Sequence, residues 1–164
     1  PFAFGNAWFV EQVRFVDNAD AEIAALDELN PLREAVVDKR FSESLKGFTP
    51  AFDSTATIAL ESYRPNRLVY HTEAAHDQLA VFSEIYYQPG WLVTIDGKPA
   101  DHFRADWILR SMVVPAGKHE VVFEFKPQGY IRAAYVSSIS SFAILLLLVA
   151  AVMWSMRGLA KRAE

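Results

Sequence analysis

The chain has 164 residues, 52% of them hydrophobic and 22% charged, with a formal net charge of −4. That length suits one folded domain with an appendage, and the composition excludes a disordered or collagen-like chain. Cysteine is absent, which excludes a disulfide framework, a thiolate nucleophile and a cysteine zinc site.

Asn6 to Val16 is rich in β-branched and aromatic residues and predicts a strand. Asn18 then caps a short helix, with Asp20 and Glu22 at its positive end and Ile23, Leu26 and Leu29 or Ala25 on one apolar face. Asn30-Pro31 stops it. Ala35 to Lys39 gives a second short strand. Ser42 to Ser54 mixes Gly47, Pro50 and polar residues without a period, which predicts a loop.

From Ser54 the period is two. Ala56, Ile58 and Leu60 alternate with Thr55, Thr57 and Glu61, and the alternation returns at Leu68, Tyr70 and Thr72 beyond Arg64-Pro65-Asn66, so a hairpin is expected. Leu79 to Tyr87 reads as a central strand covered on both sides. Trp91, Val93 and Ile95 lead to Asp96-Gly97, a strong two-residue hairpin signal, and the returning strand runs toward Phe103. Trp107 to Val114 and His119 to Lys126 are expected to pair across Pro115-Ala116-Gly117, with Val121, Phe123 and Phe125 pointing one way. Eight or nine short strands predict a mainly β fold, an antiparallel, jelly-roll-like β-sandwich with one short helix near the N-terminus.

From Ala134 through Met156 there is no charge, and the centre of the stretch holds four consecutive leucines. Such a run spans the roughly 30 Å hydrocarbon core of a bilayer as a helix, with Tyr135 and Trp154 at interfacial positions. The expected organisation is a β-sandwich domain over 1–131, a transmembrane helix over 132–156 and a basic tail over 157–164. Arg157, Lys161 and Arg162 put that tail in the cytoplasm and residues 1–131 outside it. Residues 1–131 hold 12 basic and 19 acidic side chains against 4 and 1 in 132–164, and an acidic outer part argues against a nucleic-acid partner. The lipid bilayer is the expected partner. A chain opening at Pro1 without a signal sequence is expected to be a piece of a longer protein whose earlier membrane segments precede it.

Ser83-Glu84-Ile85-Tyr86-Tyr87, Pro89-Gly90-Trp91, Ile95-Asp96-Gly97, Phe103-Arg104-Ala105-Asp106 and Val114-Pro115-Ala116-Gly117-Lys118-His119 occur in that order. Together with Gly5-Asn6-Ala7-Trp8-Phe9-Val10 and Asp17-Asn18-Ala19-Asp20, they resemble the C-terminal region of YfhO-type bacterial membrane proteins. Gln88, inserted before Pro-Gly-Trp, departs from the family pattern. The resemblance implies a multi-pass protein of the cytoplasmic membrane related to GT-C glycosyltransferases, which draw sugars from a polyprenyl-phosphate donor and attach them to an envelope glycan or glycolipid. Its acidic catalytic residues belong to an N-terminal membrane half with no counterpart here. This piece is therefore expected to be non-catalytic and to hold no cofactor of its own.

The residues themselves agree with that expectation. His71, His76, His102 and His119 lack metal-ligand spacing and read as surface or turn histidines. Asp96, Asp101 and Asp106 have turn, strand-start and capping roles to fill. There is no phosphate-cradling glycine loop, nucleophile elbow or dinucleotide fingerprint. The candidate ligand-binding group is Tyr87, Trp91, Arg104, Asp106 and Arg110, because aromatics with a polar handle stack on sugar rings while arginine holds a phosphate or carboxylate. The competing reading puts Tyr86 and Trp91 in the core and pairs Arg104 with Asp106 or Asp96. Three roles follow: a domain that positions an acceptor glycan or the enzyme's own loops, a non-catalytic interaction module that docks an envelope protein, or a carbohydrate-binding module working alone.

Overall fold

The computed structural model describes residues 4–160, and the chain divides into two compact units, Pro1–Lys126 and Pro127–Glu164. Among the described residues of the first unit, eleven strands make three sheets. The strands are β1 Ala7–Val10, β2 Gln12–Val16, β3 Glu34–Asp38, β4 Thr57–Arg64, β5 Arg67–Ala74, β6 Gln78–Ile85, β7 Trp91–Ile95, β8 Lys98–Ala100, β9 Phe103–Ala105, β10 Leu109–Val114 and β11 Gly117–Phe125. One antiparallel sheet runs β1-β6-β10-β9 and another β4-β5-β11-β7-β8, while β2 and β3 form a separate parallel pair. The expected β-sandwich is thus present, with a third layer beside it.

Two apolar clusters explain the layering. Between the large sheets lie Leu68, Tyr70, Ala80, Phe82, Val93, Met112, Val114, Val121 and Phe123. Tyr70, Phe82 and Phe123 meet edge to face there, with ring centroids 4.9 to 6.2 Å apart. On the other side of the four-stranded sheet, Leu79, Val81, Phe103 and Ala105 pack on Ala35, Val37 and Leu45. β6 serves both clusters, with Leu79 to Phe82 wholly buried, as its unbroken apolar run predicts.

Several local expectations hold. Asn18 caps α1 (Ala19–Ala25), its side chain accepting from the Ala21 N–H at 2.9 Å. β4 and β5 pair across Pro65-Asn66. β7 and β8 pair across Asp96-Gly97, whose φ values of 51° and 76° fit the positive-φ turn that this dipeptide favours. The Asp96 carboxylate also accepts from the Glu120 N–H at 2.9 Å and lies 2.6 Å from His119 Nδ1, which ties the hairpin to β11. His119 and this backbone N–H hold the Asp96 carboxyl below its ordinary range.

Other expectations are corrected. β10 and β11 do not pair: β10 bonds β6 and β9, and β11 bonds β5 and β7. Pro115-Ala116 is an arch between sheets, held by Asp77, whose side chain accepts from the Ala116 N–H at 2.9 Å. The connection from β5 to β6, which contains Asp77, changes sheets too. The strand expected over Asn6 to Val16 breaks at Glu11, where the Glu11 and Gln12 N–H groups both turn to the Arg33 carbonyl. The loop expected from Ser42 is preceded and partly replaced by a 3-10 segment, Lys39–Leu45, capped by the Asp38 side chain. In α1 the buried residue is Glu22, while Ile23 is exposed. The expected return toward Phe103 ends at Ala100, and Phe103–Ala105 joins the opposite sheet.

The second unit contains α2, Gln128–Ala160, of which Gln128–Trp154 is long and apolar enough to cross a membrane. Its apolar side chains lie on every side, as a lipid-facing helix requires. The hydroxyls of Ser138, Ser140 and Ser141 donate to the carbonyls of Ala134, Val136 and Ser137, each at 2.9 Å. These serines are thus satisfied within their own helix. Lys161 and Arg162, with the rest of the expected tail beyond Ala160, lie outside the described residues.

Candidate functional site

The five candidate side chains fall into separate groups. Arg110, the second residue of β10, is 2% exposed. Its guanidinium carbon lies 4.4 Å from the centre of the Trp91 ring and 4.9 Å from that of Phe123. Its Nη2 donates to the Ile85 carbonyl at 3.1 Å, while Nε and Nη1 have no partner among the described residues. Aromatic faces therefore stand where a carboxylate would be expected, a contact worth about 2 kcal/mol when desolvated. Burial lowers the Arg110 pKa from its ordinary value. Trp91 packs in turn on Phe125, 5.3 Å between centroids.

His102 sits nearby, 5.4 Å from the Tyr86 ring and 5.9 Å from that of Phe123. Burial and the Arg110 charge push its pKa down to about 4, so it is neutral at pH 7. Tyr87 lies outside this packing, in the connection after β6, and is 55% exposed.

Arg104 and Asp106 belong to a second group. Arg104 stands directly opposite Arg110 in the β9-β10 register, yet its guanidinium goes elsewhere, to the buried Glu22 carboxylate. It also faces Phe41 at 5.8 Å and Trp107 at 5.4 Å. The expected pairing of Arg104 with Asp106 or Asp96 is thus replaced by one with a residue 82 positions earlier. Glu22 further accepts from the Trp107 N–H at 3.1 Å.

Asp106 and Trp107 both have positive φ, 49° and 71°, which is uncommon for non-glycine residues. The turn is held by an exchange with β3: the Asp106 N–H donates to the Val36 carbonyl at 2.8 Å, and the Val36 N–H donates to Asp106 Oδ1 at 2.7 Å. Asp106 Oδ2 has no partner among the described residues. Burial, with added repulsion from Glu22 and Glu34, raises the Asp106 pKa to about 6.

Of the five, then, the fold joins Trp91 with Arg110 in the interior, joins Arg104 and Asp106 through their neighbours at Glu22 and Trp107, and leaves Tyr87 at the surface. A more open feature lies at the edge of the sandwich where β1 and β4 end their sheets. A groove of about 660 Å³ is lined there by Trp8, Phe9, Leu32, Phe52 and Ile58 together with Glu11, Arg33 and Asp53. Phe52 is 72% exposed, and Trp8 is oriented by its Nε1 donating to the Pro31 carbonyl at 2.7 Å. Glu11 and Arg33 form an ion pair at the rim. The Thr55 hydroxyl, with the Ala75 and Thr55 N–H groups, holds Asp53 charged, its pKa lowered to about 2. Sequence reading missed this groove, since Trp8 is indistinguishable there from any strand aromatic and Phe52 falls in an aperiodic stretch.

Residues 42–137 match the family model described as "Bacterial membrane protein YfhO". No curated protein and no solved structure matches the chain.

Proposed function

The chain belongs to the YfhO family of bacterial membrane proteins, and on that premise we propose that its β unit is an accessory extracytoplasmic domain that positions an acceptor glycan for a polyprenyl-phosphate-sugar-dependent glycosyltransferase. In this reading α2 is the last of several spans in the cytoplasmic membrane, and the chemistry resides in other segments of the same protein. The observation that supports it is the groove between β1 and β4. It pairs an exposed aromatic ring, Phe52, and the oriented Trp8 indole with the charged Asp53 carboxylate, the combination that stacks on sugar rings and accepts from their hydroxyls.

The test is binding of envelope polysaccharides and lipid-linked sugars by the full chain in detergent, with Trp8→Ala and Phe52→Ala as variants. Saturable binding that falls at least tenfold in both variants is expected. Absence of binding, or binding that ignores both substitutions, overturns the glycan-positioning role.

A second reading, a module that docks another envelope protein, is favoured by the exposed apolar side chains of Ile85, Tyr87 and Ile108. The Tyr86 N–H donates to the Ile108 carbonyl at 2.7 Å and holds these two connections together. Loss of a partner in crosslinking when Ile85 and Tyr87 are both changed to Ser, with glycan binding intact, separates the two readings.

A further inference from the structure

We propose that Glu61, His71 and Glu120 form a divalent-cation site on the outer face of the five-stranded sheet, with the ligand set of a zinc-type ion. The three residues come from three hydrogen-bonded neighbours, β4, β5 and β11. His71 and Glu120 are direct cross-strand partners. Glu61 lies at the irregularity between Leu60 and Ser62, where β4 gains one residue against β5. A bulge of this kind re-aims a side chain that regular alternation would place further along the strand. One donor atom from each residue lies within 4.8 Å of the other two, and His71 Nε2 is 2.8 Å from Glu61 Oε2.

Charge argues in the same direction. Two carboxylates face one imidazole, and the Glu120 carboxylate has no hydrogen-bond or ion-pair partner among the described residues. Lys118, two residues before Glu120 on the same strand, is engaged by Glu73 at 3.1 Å. A pair of carboxylates side by side on a sheet repels unless something positive sits between them, and a divalent ion supplies more charge there than one imidazole can.

Mixed nitrogen and oxygen donors select zinc, cobalt or manganese over magnesium or calcium, which prefer all-oxygen cages. His71 and Glu61 are exposed, so their side chains are free to close from their present spacing to bonding distances of about 2.0 to 2.2 Å. Three protein ligands leave a fourth position open. His71 and Glu120 border a hollow of about 410 Å³ together with Thr57, Ala59, Glu73 and Lys118, which leaves room for an oxygen of water or of a bound molecule to complete the coordination. The ion would also tie the edge strand β4 to the two strands beside it.

The experiment is calorimetric titration of ZnCl₂ into the full chain in detergent after chelator treatment, with visible absorption of the Co(II) form as a readout of coordination geometry. One saturable equivalent is expected, weakened at least tenfold in His71→Ala and in Glu120→Gln and unchanged in Glu73→Gln. Comparable metal-free unfolding curves for all variants exclude misfolding as the cause. An absence of saturable binding at millimolar zinc reduces the cluster to an ordinary Glu61–His71 hydrogen bond and overturns the proposal. So does undiminished binding in His71→Ala.

Discussion

The guanidinium of Arg110 rests against the Trp91 indole, 4.4 Å from its centre, inside the sandwich and with no carboxylate among the described residues bonded to it. A buried charge satisfied mainly by aromatic faces is sensitive to how it is replaced. Arg110→Met keeps the length of the side chain and removes the charge, so stability should change by less than about 1 kcal/mol or rise. Arg110→Ala leaves a cavity and Trp91→Ala uncovers the charge, and each should cost about 2 to 4 kcal/mol. Urea unfolding of the chain in detergent, followed by near-ultraviolet circular dichroism, ranks the three.

Glu22 and Arg104 pose the opposite case, a buried ion pair with both partners present. Glu22→Ala removes the acceptor of both the Arg104 guanidinium and the Trp107 N–H, and should destabilise by about 3 kcal/mol. Asp20→Ala, two residues earlier in the first turn of the same short helix, should cost well under 1 kcal/mol. Equal losses in the same unfolding assay would show that the pair contributes nothing beyond helix capping.

Asp106 and His102 give opposite pH dependences. The Asp106 pKa rises from 3.8 to about 6 on folding. The folded chain therefore binds more protons between about pH 4 and 6, and this group makes stability fall as pH rises through that window. The His102 pKa drops from 6.5 to about 4, so the folded chain binds fewer protons between about pH 4 and 6.5, and this group makes stability rise with pH. Each effect is about 1 to 3 kcal/mol at full extent. In difference curves against the unsubstituted chain, Asp106→Asn should gain most at pH 7 and His102→Gln most at pH 4. Curves that run parallel to the unsubstituted chain from pH 4 to 7 would refute both assignments.

The Asp96-Gly97 turn tests backbone strain against hydrogen bonding. Gly97 has φ of 76° and open space around it, so Gly97→Ala meets no clash and should cost only about 1 kcal/mol of conformational strain. Asp96→Ala should cost more, because the Glu120 N–H and the His119 imidazole lose their acceptor. Hydrogen exchange at the Glu120 amide should quicken in Asp96→Ala and stay slow in Gly97→Ala.

Elements whose signal is local were legible from the residues alone. The period of two through Ile58 and Leu60, the Asp96-Gly97 turn, the Asn18 cap and the uncharged run ahead of Met156 each encode a backbone geometry or a solvent preference within a few residues. The burial of β6 on both faces was equally plain, because an unbroken apolar run has no face to leave in water. The motifs from Ser83 to His119 carried the family resemblance, and they lie within the family match over 42–137, which bears it out.

What the residues in order could not reveal was which sheet each strand would join. Pro115-Ala116-Gly117 reads as a hairpin turn, yet Asp77 captures the Ala116 N–H and the chain arches across to the other sheet. Alternation specifies the face a side chain takes, whereas pairing depends on partners far along the chain and on how the two sheets share one core. The candidate site followed the same rule. Trp91, Arg104, Asp106 and Arg110 are close in sequence, but packing drew Arg110 to Trp91 and Arg104 to Glu22, while Phe52 and Trp8 met at an open edge. Sequence determined a β domain and a helix long and apolar enough to cross a membrane, since backbone propensity and hydrophobic length act locally. Only the tertiary structure decided which side chains are buried structural partners and which line an open groove, because that depends on contacts between segments tens of residues apart.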